Sequence, residues 1–75
     1  MNVTEVGIYG MGSNKLYRVR KAVDFDYNQI DRVNNLDNHV LIDVGADTYA
    51  FAIDNAAQLT DNIKKLHEDY RAKRN

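Results

Sequence analysis

Residues 3 to 23 and residues 39 to 54 each alternate apolar with polar side chains around a Gly-containing break, and each stretch runs into a segment whose apolar residues recur at steps of three and four. A period of two predicts a strand with one buried side, and steps of three and four predict a helix. The chain therefore reads ββα twice over, which fixes which side chains must be buried and which are left to meet a partner. The two halves share little residue identity, so the recurrence is architectural.

In the first half, Val3 to Tyr9 sets Thr4, Val6 and Ile8 against Val3, Glu5, Gly7 and Tyr9. Gly10 to Asn14 reads as a hairpin turn, because glycine and asparagine tolerate the positive φ that tight connections need. Lys15 to Val23 follows as a second strand with Tyr17, Val19 and Val23 on the core side and Leu16, Arg18 and Arg20 on the other, Lys21 being the one charged residue on the core side. Asp26 with Gln29 three residues on has the spacing of a capping box, and Phe25 with Ile30 that of a hydrophobic staple. With Tyr27, Ile30, Val33 and Leu36 as its stripe, a short helix is expected, ending in the loop 34 to 38.

The second half is more regular. Val40, Ile42 and Val44 oppose His39, Leu41 and Asp43, Gly45 to Asp47 turns the chain, and Tyr49, Phe51 and Ile53 alternate with Thr48, Ala50, Ala52 and Asp54. Asn55 and Gln58 again have cap spacing, and Ala56, Leu59, Ile63, Leu66 and Tyr70 give one apolar helix face. Arg71, Lys73 and Arg74 suit the negative end of the helix dipole. The expected fold is α+β: a two-layer, four-stranded antiparallel sheet with two helices on one face, in ββαββα order, one small domain spanning residues 1 to 75.

Size limits what holds such a fold together. A domain near this length buries only about 60% of the surface that its unfolded chain exposes. The sequence has no cysteine, hence no disulfides, and no Cys/His cluster to hold a structural zinc. Packing, aided by self-association, must supply the stability. The 44% apolar and 28% charged fractions are ordinary for a globular chain. Its longest apolar runs fall far short of the roughly 18 residues of a membrane span, and no secretory leader opens it, so the expected location is the cytoplasm and no membrane partner is expected.

No motif names a reaction. Gly7 to Lys15 (GIYGMGSNK) has glycines and a lysine, but a phosphate loop needs Gly-Lys-Ser/Thr opening a helix, and here strand residues follow. Asp24, Asp26 and Asn28 begin like a calcium loop, yet Gln29 and Asn35 stand where the required Gly and bidentate Glu belong. His39 and His67 are the only histidines and Ser13 the only serine, too few for a zinc centre or a recognisable nucleophile and base. Only a tertiary meeting of His39, Asp43 and Asp54 would suggest catalysis. The expectation is a protein without enzymatic activity, cofactor or metal.

Charge is unevenly spread. Lys15, Arg18, Arg20 and Lys21 outweigh Glu5 in the first 23 residues, whereas residues 24 to 54 hold seven aspartates against Arg32 alone. The side of the sheet away from the helices would show Tyr9, Leu16, Arg18, Arg20, Leu41 and Asp43, apolar surface rimmed by charge, which is how a protein interface is built. The expected function is thus a small interaction module, binding protein or itself as a homodimer through the open sheet face or a strand edge. Nucleic-acid binding through Lys15, Arg18 and Arg20 is the alternative, and mimicry of nucleic acid by the aspartate-rich segment is a third possibility that rests on charge alone.

Overall fold

A computed structural model of the chain describes residues 1–73; Arg74, expected above to complement the helix dipole, lies outside them. The elements are β1 (Asn2–Val3), β2 (Gly7–Asn14), β3 (Val19–Asp26), β4 (Arg32–Leu36), β5 (His39–Val44), β6 (Asp47–Ala52) and α1 (Ala56–Lys73). The expected four-stranded sheet with two helices is therefore replaced by six antiparallel strands curled into a half-barrel, with a single helix among the described residues.

Two differences in the first half account for the change. The Gly-rich run 10 to 14 is not a turn but the second half of β2, paired residue for residue with β3 from Gly7 opposite Asp26 to Asn14 opposite Val19. Its glycines serve close approach: a Cβ on Gly12 would stand 2.8 Å from the Phe51 ring, and Gly10, at φ 139, lies under the backbone of Met1. The turn comes later, at residues 15 to 18, so Leu16 and Arg18 leave the sheet face and join the hairpin tip.

The second difference is the missing helix at 26 to 36. Its start signal is real: Asp26 donates its N–H to Gln29 Oε1 at 3.0 Å, and Asp26 Oδ1 accepts the N–H of Asn28 at 2.8 Å. One turn forms and stops. Asn34 and Asn35 are poor helix formers, and Arg32 to Leu36 instead pairs along β5 through the two-residue turn Asp37-Asn38. Val33 and Ile30 are buried either way, which is why spacing alone favoured the wrong element.

The second half follows the spacing closely. β5 and β6 pair from His39 opposite Ala52 to Val44 opposite Asp47, across Gly45 at φ 62. The helix begins after Asn55, whose carbonyl accepts the Leu59 N–H, although Asn55 adopts a left-handed φ of 59 rather than the extended backbone of an ordinary N-cap.

β6 closes back on the first hairpin. Ser13 lies opposite Ala50, and the Lys15 N–H reaches the Thr48 carbonyl at 2.8 Å, while β1 pairs beside Ile8 and Tyr9. The concave side holds Ile8, Val23, Tyr27, Val40, Ile42, Tyr49 and Phe51, and α1 lays Ala56, Thr60 and Ile63 over β4 and β5. The Phe25 and Tyr49 rings stand 5.2 Å apart although β2 runs between their strands, because the glycines of β2 leave its inner face low. The helix does not extend over the β2–β3 tip, so Tyr17 and Val19, expected on the core side, are 69% and 52% exposed; Val6, expected on the same side, lies at the opposite end of the hairpin beside Tyr27 and is 58% exposed.

Candidate interaction surface

The hairpin tip is organised by Asn14. Its side chain is buried, Oδ1 accepts the N–H groups of Leu16 and Tyr17 at 2.9 and 3.0 Å, and its backbone carbonyl accepts the Arg18 N–H at 2.8 Å. Arg18 completes the turn at φ 58. Because Asn14 satisfies this backbone from below, Leu16 and Tyr17 need no partners of their own and project into solvent.

Strand alternation decides the rest of the outer surface. On β2 the outward residues are Tyr9, Met11 and Ser13; on β3 they are Arg20, Ala22 and Asp24; on β5, His39, Leu41 and Asp43. Between β2 and β5, β6 contributes Thr48, Ala50 and Ala52, and the small side chains of the two alanines leave a trough. One depression of about 320 Å³ is bounded by Met11, Ser13, Arg20, His39, Ala50 and Ala52. A neighbouring one of about 230 Å³ shares His39 and Ala50 and is bounded by Lys15, Leu36 and Leu41 as well.

Of the six residues expected to form the interface, Tyr9, Arg20, Leu41 and Asp43 lie on this outer face, Arg20 and Leu41 on opposite banks of the trough. Leu16 and Arg18 stand apart from them at the tip. Asp43 accepts the Thr48 hydroxyl at 2.8 Å and faces Arg32 across the β4–β5 ladder. Met11 is absent from that set because a turn at residues 10 to 14 would hide it, whereas in a strand the alternation Tyr9, Met11, Ser13 displays it.

His39 and Asp43 sit four residues apart along β5, roughly 13 Å at strand rise, and the described residues contain no group of three or more His, Asp or Glu side chains suited to a metal ion. His67 has a structural post instead, its Nε2 lying 3.1 and 2.9 Å from the carbonyl oxygens of Tyr27 and Ile30. The Tyr27 hydroxyl donates to the Thr4 carbonyl at 2.8 Å, and burial raises its pKa above the ordinary tyrosine value. No helix among the described residues is long and apolar enough to cross a membrane.

Comparison of the chain with protein-family models, curated proteins and solved structures finds no match.

Proposed function

We propose that this protein is a non-enzymatic interaction module whose working surface is the β2–β3 hairpin with the adjoining outer sheet face. One observation carries the reading: of seven large hydrophobic side chains well exposed among the described residues, six (Val6, Tyr9, Met11, Leu16, Tyr17 and Val19) fall between residues 6 and 19. Single exposed apolar side chains are normal, but Tyr9 and Met11 on the outer face with Leu16 and Tyr17 at the tip, near Lys15, Arg18 and Arg20, have the composition of a docking surface. The partner is a protein, either another chain or a second copy.

A photo-reactive amino acid placed at Met11 tests this in cells, with the same probe at the exposed helix position Lys64 as reference. Crosslinks from Met11 and not from Lys64 are expected. A Met11 probe that captures no protein, or no more than the Lys64 probe, overturns the reading.

A second reading is favoured by the tip itself, where Lys15 and Arg18 share the turn with the 69%-exposed Tyr17 and Arg20 and Lys21 follow on β3. Basic side chains beside an exposed ring suit single-stranded nucleic acid, with phosphates on the cations and a base stacked on the tyrosine. Titration with labelled single strands at low salt decides it: binding must be present there and fall steeply as salt rises.

A further inference from the structure

We infer that β3 is the seam of a two-fold homodimer in which two copies join edge to edge, with Ala22 on the axis and Arg20 of each copy opposite Asp24 of the other. The inference rests on the hairpin reading above and names its occupant as a second copy of this chain.

β3 is an edge strand: it pairs with β2 on one side and with no other strand among the described residues. Which backbone groups face outward follows from the bonds at its two ends. Arg18 donates to Asn14, Tyr27 donates to Val6, and on β2 the odd-numbered Gly7 and Lys15 bond away from β3. In this register the odd residues of β3 bond to β2 and the even residues, Arg20, Ala22, Asp24 and Asp26, turn their N–H and C=O outward. Asp26 shows the same sense, since both of its outward groups are taken by Gln29. Three residues remain with both groups free: Arg20, Ala22 and Asp24.

Those three define one register. An antiparallel copy centred on Ala22 sets Ala22 against Ala22 and Arg20 against Asp24 on either side, so each free N–H meets a free C=O. Three residues on each strand close six bonds. Moving the centre to Val23 would set Arg20 against Asp26, whose backbone is already engaged. A centre at Lys21 would set Asp24 against Arg18, whose N–H is held by Asn14.

Side-chain charge is compatible with the register that the backbone selects. The outward side of β3 reads Arg20, Ala22, Asp24, which is antisymmetric about Ala22, so a two-fold copy brings opposite charges together at both flanks. All three residues are exposed in the single chain. Charges on an edge ordinarily discourage pairing, but in this register they meet as two opposite-charge pairs. On the concave side the same register lays the exposed Val19 against the half-buried Phe25 of the second copy.

Sedimentation equilibrium on the intact chain tests this. The wild type is expected to form a concentration-dependent dimer, and Arg20→Asp or Asp24→Arg alone to weaken it about tenfold or more, since each turns two attractive pairs into repulsive ones. The double variant Arg20→Asp/Asp24→Arg restores the complement and is expected to return to within about threefold of the wild type. Ala22→Pro, which removes an N–H that faces away from β2, is expected to abolish dimerisation while circular dichroism stays native.

A wild type that stays monomeric at millimolar concentration, or a double variant no better than the single ones, overturns the inference. The hairpin reading fails separately: a monomer whose Met11 probe still captures another protein sinks the self-pairing and keeps the hairpin as a docking surface.

Discussion

The imidazole of His67 reaches back from the second half of α1 to the carbonyl of Ile30, with Nε2 2.9 Å from that oxygen and 3.1 Å from the carbonyl of Tyr27. Two acceptors require Nε2 to carry the proton and share it between them. This one side chain ties the helix to the aborted helical turn at 27 to 30, where the backbone has left one element and not yet entered the next. Replacing His67 by Ala leaves both carbonyls without this donor and is expected to cost about 1–3 kcal/mol. His67→Gln, which keeps an N–H donor, should recover part of the loss in urea unfolding.

Asn14 is the corresponding tie at the hairpin tip. Asn14→Ala removes the acceptor for the Leu16 and Tyr17 N–H groups, and a loss of about 1–2 kcal/mol is expected, close to that of deleting a cap. Amide exchange should quicken at Leu16 and Tyr17 while the amides of β5 keep their protection. Leu16→Ser, at an exposed site, should change stability by no more than about 0.5 kcal/mol.

Glycines in β2 are predicted to rank by what lies above them. A Cβ at Gly7 would run into the carbonyl of Phe25, which is backbone and cannot swing aside, whereas at Gly12 it would meet the Phe51 ring. Gly12→Ala should cost about 1–3 kcal/mol through displacement of a buried ring. Gly7→Ala should cost more, or prevent folding. Thermal unfolding of the two variants orders them, and equal costs would contradict this account.

Alkaline pH should act through Tyr27. Burial raises its pKa in the folded chain, so the folded state holds the phenolic proton more tightly than the unfolded state does. Its contribution is fully present below the unfolded value of about 10 and is lost as pH rises through the folded one. Tyr27→Phe should lower stability by about 1 kcal/mol near neutral pH, through loss of the bond to Thr4, and should lack this alkaline component. Urea midpoints of the two proteins between about pH 8 and 11 should therefore converge as pH rises, given that the unfolded tyrosine ionises first.

Residues 39 to 73 could be read from sequence because local spacing and tertiary environment agree there. β5 and β6 alternate strictly, a glycine turn joins them, and Leu59, Ile63, Leu66 and Tyr70 supply the helix with one long apolar face. The positions of the candidate interaction residues were legible in part. Tyr9, Arg20, Leu41 and Asp43 reached the outer face through alternation alone, while Leu16 and Arg18 depended on where the first hairpin turned.

Residues 1 to 36 are another matter, since the deciding partners there lie far away in sequence. Gly10 and Gly12 have the composition of a turn, and what makes them strand is the room required by Met1 and Phe51. The capping box at Asp26 and Gln29 forms as its spacing dictates, yet β5 takes the next residues into its ladder before a second helical turn can follow. Sequence by itself determined the buried set of the second half, the closing helix and the uneven charge, all properties of neighbouring residues. Tertiary structure decided the strand count, the curl and the identity of the free edge, because a backbone hydrogen bond between distant segments leaves no periodicity in either of them.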